Sequence, residues 1–454
     1  MIPSRWLSRH TALAVSAYLC RSHGPDCNRQ HRFLRMIYKS LFTLLLFSAA
    51  LTMAQAAEPS GKSGMTLGDA IAAALRNNPE LRVFEAQITG AKGEVTIART
   101  WDNPELAVAP GFRVTRESGL RDTAFHGDFE VSQTFKFPGK RALEIAIAQR
   151  NVELQQLALE GFRFQLSAKV RKAFYQMLAA QQVIGLRTEQ VESAKVFVTS
   201  AQKRAESGYA SDFETLKSQA DLIAATKALQ QARGEVVVAR VTLNALMARN
   251  PSVALGISGS LENLAPPGTA RDYVALALAR NPSLRAQVLA GDLAGLNLSA
   301  AKLSGKPDLK VGPSLEYTDV EQTAGIGFSL PLPLWDQKKG QIAKATAEQE
   351  KALAEVEKSR AQIAGEVTIA AASLETAKEA AALYTPELLR QLRAFVAQAE
   401  QGYTQSSTTL IIYLDAKRTY FDTLSDYYEA LAKIAASRAE LESAIGVPLD
   451  TRKP

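Results

Sequence analysis

The chain states one pattern twice. Leu75-Arg76-Asn77-Asn78-Pro79-Glu80-Leu81-Arg82 returns as Leu278-Ala279-Arg280-Asn281-Pro282-Ser283-Leu284-Arg285, and Pro104-x-Leu106 returns as Pro307-x-Leu309, always 203 residues further on. Val131-Ser132 and Phe328-Ser329 then stand 197 apart, Leu216 and Leu414 198 apart, and Pro251 and Pro448 197 apart, so one short deletion separates the copies. A solenoid unit runs about 20 to 50 residues; a unit of roughly 200 is instead half of a duplicated architecture. The first copy spans 66–251 and the second 271–448, with a linker at 252–270 and a tail at 449–454. Only 7% of residues are aromatic, which favours long helices over a thick globular core.

The first 56 residues are of a different kind. They hold seven of the 53 Lys and Arg residues but one of the 46 Asp and Glu, so the formal charge of +7 is concentrated there. The remainder, with 46 basic and 45 acidic residues, is near neutral, which argues against a nucleic-acid partner. Lys39 precedes an apolar run at 41–47, and Ala54-Gln55-Ala56 has the small-x-small pattern of a signal-peptidase site. The leader therefore reads as a secretory signal with its core at 36–56, followed by a small polar linker at 57–65. The apolar run is shorter than the ~20 residues of a membrane-spanning helix. Cys20, Cys27 and three of the four histidines fall in the leader, leaving His126 as the single histidine of the mature chain.

Within each copy the grammar is short helix, helix, strand, strand, very long helix, helix. Thr66 with Asp69 can cap a first helix, Asn77-Asn78-Pro79 ends it, and a second helix runs from Pro79 to about Trp101; the same signals recur at 271–281 and 282–304. The period then changes from 3.6 to 2. Leu106, Val108, Pro110, Phe112 and Val114 alternate with small or polar residues, as do Phe125, Phe129, Val131, Phe135 and Phe137. The second copy repeats this with Leu309, Val311, Pro313, Leu315 and Tyr317, then Ala324, Ile326, Phe328, Leu330 and Leu332. The strand pairs occupy 105–137 and 308–333, each strand about ten residues long, the length of a tilted outer-membrane strand. Alternation alone fits a hairpin on a soluble core equally well; aromatics near the strand ends and the export signal favour the barrel.

From Lys140 to about Ser207 there is no proline, and 338–401 is broken only by Pro386. Each stretch predicts a helix of roughly 100 Å, and the two shorter helices stacked end to end would match its length. Four strands cannot close a barrel in lipid, whereas three chains supply twelve. The expected fold is therefore mainly α with a transmembrane β part: four amphipathic strands per chain in a trimeric 12-stranded β-barrel on a long periplasmic α-helical barrel. On this reading Arg113, His126, Asp128, Glu130, Lys310 and Glu316 line the pore, and Trp101, Phe137 and Trp335 sit at the membrane interface.

Residues 66–448 resemble the TolC-type outer-membrane efflux family in its heavy-metal, CzcC-like branch. The resemblance rests on Leu67-x-x-Ala70 with Asn78-Pro79-x-Leu81, on Pro138-Gly139-Lys140-Arg141, on Pro331-Leu332-Pro333-Leu334-Trp335 with Gly340, and on Leu414-Asp415-Ala416-Lys417-Arg418-Thr419. It implies a homotrimeric outer-membrane conduit, coupled to a periplasmic adaptor and an inner-membrane efflux pump, exporting heavy-metal cations; channels of the same type also serve organic compounds or type I protein secretion. The resemblance places adaptor docking at two periplasmic tips, here Arg204, Gly208, Tyr209, Ser211 and Asp212, and Gly402, Tyr403, Gln405 and Ser406. The second tip departs from the first, pairing with it either at Gly402 or at Ser406. The Gln337-Lys338-Lys339-Gly340 stretch departs from the Arg-Asn-Gln-Gly usual in the metal branch.

No phosphate loop, nucleophile elbow or His/Cys metal spacing occurs, so neither an enzyme nor a cofactor is expected. His126, Asp128 and Glu130 read as pore lining rather than a catalytic trio, and with one imidazole and no thiolate the mature chain is expected to bind transition metals weakly. A soluble periplasmic adaptor with a long hairpin is the remaining alternative; it would need a lipoyl-like or β-barrel domain that the short strand pairs do not supply.

Overall fold

The computed structural model describes residues 64–117, 120–208, 211–261, 269–318, 321–405 and 407–449. The leader at 1–56, with Cys20, Cys27 and the signal segment, lies outside the described residues, as do Tyr209 and Ser406.

The first copy contains α1 (Leu67–Asn77), α2 (Pro79–Arg99), β1 (Glu105–Glu117), β2 (Leu120–Phe135), α3 (Lys140–Glu206) and α4 (Asp212–Leu246). The second contains α5 (Ala270–Arg280), α6 (Pro282–Ser304), β3 (Leu309–Thr318), β4 (Gln322–Ser329), α7 (Lys339–Ala382), α8 (Pro386–Thr404) and α9 (Leu410–Ile445). The helix starts obey the same local chemistry in both. Thr66 accepts from the Asp69 amide while Asp69 accepts from the Thr66 amide at 3.1 Å, and Thr269 and Asp272 repeat the reciprocal pair. Asn78 and Asn281 each end one helix and cap the next, accepting from Glu80 N at 2.9 Å and Ser283 N at 2.8 Å, with proline at the first helical position. Each such cap contributes about 1 kcal/mol to its helix.

The copies differ in their long helices. α3 runs unbroken for 67 residues, whereas α7 stops at Ala382 and α8 restarts at Pro386 with Thr385 as its cap. The helices form a layer four columns wide. α3 packs against α2 and α4 on one side and α6 and α9 on the other; α7 packs against α6 and α9, and α8 continues along α9. Thus α2 and α4 share one column, and α6 and α9 another. Along their length α4 lies on α3 and α8 on α9, while near the tips Tyr403 of α8 also reaches Arg204 of α3 and Glu214 of α4, so away from the tips the layer has two open sides.

Two matching cores hold the columns together. In one, Ala70, Ala74 and Leu81 meet Leu166, Val170, Phe174 and Met177 of α3 and Leu243 of α4; in the other, Tyr273, Ala277 and Leu284 meet Ile363, Val367 and Leu374 of α7 and Leu441 and Ile445 of α9. Burying a side chain such as Phe174 stabilises the fold by about 2 kcal/mol. A third core at the far end joins Phe197, Tyr403, Leu410, Tyr413 and Leu414.

The four strands make one antiparallel sheet in the order β1-β2-β3-β4, so β1 and β4 are both free edges. The strands are not all about ten residues long: β1 and β2 have 13 and 16, β3 and β4 have 10 and 8. The extra length lies at the β1–β2 turn, where Thr115 pairs with Asp122 and Arg116 with Arg121. Backbone pairing continues there after the apolar alternation has ended.

Candidate functional site

The sheet has two chemically distinct faces. Directly opposed residues share a face, and Asp128 of β2 opposes Ala109 of β1 and Glu316 of β3. By the same register Glu130 lies between Ala107 and Ser314, His126 between Gly111 and Thr318, and Lys310 opposite Thr134. Arg113, opposite Ala124, holds a position of the same parity, though its side chain lies outside the described residues. Lys310 Nζ donates to Glu105 Oε2 at 2.9 Å across this face. His126 Nε2 is 3.3 Å from Asp128 Oδ2, and its Nδ1 is 3.8 Å from Glu316 Oε1. The period-2 alternation puts Glu316 on this face but gives no sign that it adjoins His126. The two lie 190 positions apart, and only the β2–β3 pairing between copies brings them together.

The other face carries Leu106, Val108, Phe112, Phe125, Phe129, Val131, Leu315, Ile326 and Phe328, all exposed, with Phe112 at 74%. Soluble monomers rarely leave so continuous an apolar surface uncovered, and such a surface marks contact with lipid or with another protein. Trp101, Phe137 and Trp335 lie just beyond the strand ends that adjoin the helices. Trp101 packs edge-on against Phe135 at 6.1 Å with the Arg141 guanidinium 4.2 Å over its ring, and Trp335 is 93% exposed. The Phe137 amide donates to Asp308 Oδ1 at 2.6 Å, and Lys140 donates to the same oxygen at 2.9 Å, so the sheet is clamped to the start of α3.

At the opposite end of the long helices are the two tips. Gly208 follows α3 with φ of 76°, a left-handed conformation that favours glycine, and a Cβ there would meet nothing within 4 Å. Ser211 caps α4 through its carbonyl, which accepts from Glu214 N at 3.0 Å, and Asp212 is the first, exposed residue of that helix. The second tip is built differently. Gly402 is inside α8, and its carbonyl accepts from Ser407 N and Thr408 N at 2.8 and 3.1 Å; Gln405 ends the helix. α3 and α8 end 198 residues apart and α4 and α9 start 198 apart, so the helix bounds run at an offset of 198 and not at the 194 that would match Gly402 with Gly208.

Tyr403 points inward rather than outward, at 6% exposure. Its ring stacks on Tyr413 at 5.7 Å, the Arg204 guanidinium lies 4.7 Å over it, and its hydroxyl donates to Glu214 Oε2 at 2.9 Å. Burial holds its phenol above the usual range. Arg204 and Tyr403 therefore tie the two tips to each other. A cavity of about 620 Å³ opens beside this cluster, lined by Glu192, Lys203, Arg204, Glu400, Tyr403 and Tyr413.

Nearby, Lys417 is buried to 8% exposure, bonded to Ser193 and facing the Tyr413 ring at 5.0 Å. Burial lowers its pKa, against the Glu400 and Asp221 charges that raise it; Asp221 is in turn pushed up by its own burial. This charge cluster was hidden in sequence inside an ordinary-looking helix.

No described helix is long and apolar enough to cross a membrane. Among the described residues the sheet carries the surface with the chemistry for lipid, and an amphipathic sheet on a columnar helical layer is the architecture of outer-membrane channels. The solved outer-membrane channel OprN superposes with a TM-score of 0.71 at 17% identity, covering 84% of this chain and 90% of its own. The Campylobacter jejuni CmeC outer membrane channel gives 0.68 at 14% identity, covering 88% and 92%.

The sequence matches the outer membrane efflux protein family over 70–249 and 273–447, and the chain belongs to that family. It is an efflux channel of the outer membrane with a periplasmic helical part, and its family and fold are those of channels, not enzymes. It is 24% identical over 384 residues to the cobalt-zinc-cadmium resistance protein CzcC of Cupriavidus metallidurans, covering 84% of this chain and 90% of the relative. It is 23% identical over 273 residues to the nickel-cobalt-cadmium resistance protein NccC of Alcaligenes xylosoxydans xylosoxydans, covering 59% and 60%.

Proposed function

We propose that three copies of the chain form a passive conduit that carries divalent heavy-metal cations out of the cell. The observation that carries the trimer is the pair of open edges on both layers. β1 and β4 leave unpaired backbone groups at an apolar surface, and α4 and α8 end the helical layer with Phe213, Leu216, Ile223 and Phe395 uncovered. Edges of that kind cannot face lipid, and three four-stranded sheets supply the twelve strands that remove them. Four columns per chain then become twelve around one lumen. In that assembly Glu105, His126, Asp128, Glu130, Lys310 and Glu316 line the pore, Arg113 joins them by register, and Trp101, Phe137 and Trp335 sit at the periplasmic membrane interface.

The metal cargo is supported by the relatives, whose names record resistance to cobalt, zinc, cadmium and nickel. A conduit without an energy source needs a pump. An inner-membrane pump and a periplasmic adaptor are the proposed partners, with the adaptor meeting the tips at Arg204, Gly208, Tyr209, Ser211 and Asp212 and at Gln405 and Ser406. Cross-linking of the detergent-extracted protein should trap a species of three, and deletion of the gene should sensitise cells to zinc, cobalt or cadmium salts. A stable channel-forming monomer would reject the assembly, and unchanged metal tolerance with lost tolerance to organic toxicants would move the cargo to that class.

A further inference from the structure

We infer that His126, Asp128 and Glu316 form a labile binding site for one divalent transition cation per protomer, of the zinc, cobalt or nickel class. Three features of the sheet lead there. Asp128 and Glu316 are directly opposed on neighbouring strands, where like charges repel. Elsewhere on the same face a carboxylate is neutralised by a lysine, as Glu105 is by Lys310. Among the described residues, the only basic group within ion-pair distance of Asp128 or Glu316 is His126 itself.

The spacing is that of a ligand set. One donor atom from each of the three residues lies within 4.8 Å of the others. Zinc-type ions hold nitrogen and oxygen ligands at about 2.0–2.2 Å, which in a tetrahedron separates neighbouring ligands by roughly 3.4 Å. His126 Nε2 and Asp128 Oδ2 are 3.3 Å apart. The second ring nitrogen, Nδ1, is buried and makes no hydrogen bond, and it faces Glu316 Oε1 at 3.8 Å. An ion takes one nitrogen of an imidazole, so the set closes when the His126 ring and the Glu316 carboxylate turn to bring one nitrogen and both carboxylates to a common point, a movement that the 4.8 Å spread of the donor atoms keeps within side-chain reach.

The donors also select the ion. Two carboxylates alone would suit magnesium or calcium, whereas an imidazole in the set favours zinc, cobalt or nickel. Three protein ligands leave positions open to water, and Asp128 and Glu316 are exposed, so the ion exchanges instead of staying. Each protomer supplies a complete set. Glu316 is two residues from the end of β3, which places the set toward the outer mouth. Three such sites would ring the pore as a last stop for cations before release. This role rests on the proposed lumen and cargo, while the binding itself can be measured without either.

The test uses the purified mature protein in detergent, titrated with Co²⁺ and followed by its visible absorption and by equilibrium dialysis. The expected result is one saturable Co²⁺ per protomer, displaced by Zn²⁺, unaffected by a tenfold excess of Mg²⁺, and lost on passage into metal-free buffer. H126Q and E316Q should each weaken binding at least tenfold with unchanged melting and oligomeric state, while E321Q, a carboxylate at the adjoining turn, should change it less than twofold. Absence of saturable binding, displacement by Mg²⁺ as readily as by Zn²⁺, or wild-type affinity in H126Q would overturn the site. Binding by a protein that fails to restore growth on metal salts removes the cargo reading and leaves the site standing. Failure to bind by a protein that does restore growth removes the site alone.

Discussion

Arg171 of α3 and Glu442 of α9 form an ion pair across neighbouring columns, with the Glu442 side chain only 3% exposed. Arg438 donates to the same carboxylate at 3.0 Å, and so does the Leu449 amide at 3.3 Å. One helical face away, Lys172 and Glu440 make an exposed pair at 2.7 Å. Both bridges join the same helices, but water reaches only one. Glu442→Gln takes away a buried carboxylate that two arginines and a backbone amide share, so it should cost about 3 kcal/mol. Glu440→Gln should cost less than about 1 kcal/mol. Denaturant unfolding of the two variants in detergent compares them directly, and equal losses would mean that burial does not govern the pair.

The sheet register makes a face-specific prediction. An arginine at Phe129, on the exposed apolar face, should destabilise the membrane-inserted sheet by about 2–4 kcal/mol at mid-membrane depth. An arginine at Ser314, on the polar face, should be tolerated. Folding yield into vesicles separates the two, and similar yields would refute the assignment of faces.

Gly208 tests the tips. A valine forced to the φ of 76° observed there would strain the turn by about 1–3 kcal/mol. Space is not limiting, since nothing crowds the position. Gly208→Val should therefore reduce metal efflux and adaptor cross-linking while leaving oligomer assembly intact. Normal efflux at normal expression would show that the tip conformation does not matter to coupling.

Lys417 and Asp221 carry a pH prediction. Asp221 has a raised pKa, so its ionised form is disfavoured in the fold, and the cost is relieved as pH falls through that raised value toward 3.8. Lys417 offsets that cost at neutral pH. Lys417→Met removes that offset, so its melting temperature relative to wild type should rise as the pH drops from 7 toward 5 and the Asp221 cost is relieved. Asp221→Asn added to Lys417→Met should reduce that pH dependence. A difference independent of pH and of Asp221 would point to packing instead.

Much of the fold was legible because helix ends and strand periods are local. Thr66 with Asp69, Asn78-Pro79, Asn281-Pro282 and Pro386 announce their boundaries within a few residues, and the alternation around Phe129 and Leu315 assigns faces directly. What stayed hidden depends on distant pairing or on the backbone. His126 meets Glu316 only through the ladder between copies, and Tyr403 turns inward only because Arg204, Glu214 and Tyr413 surround it. The junctions before α3 and α7 illustrate the second case. Gly139 takes φ of 94° there, and in the other copy Lys338 takes 60°, so a glycine signal was present once and absent once for the same bend. The charged stretch after Val114 likewise gave no period by which to extend β1 and β2.

That extension sets what the outside world meets. Residues 112–117 of β1 and 120–125 of β2 pair with each other and have no partner on β3, so this hairpin rises by roughly 20 Å above its shorter counterpart. With the helices in the periplasm, the paired ends of β1 and β2 point the other way, toward the cell exterior. An antibody, a phage tail or an inserted epitope would thus encounter the first half of the gene and scarcely the second. The duplicated halves share the work inside the envelope, while the first supplies the hairpin that reaches further beyond the shared sheet.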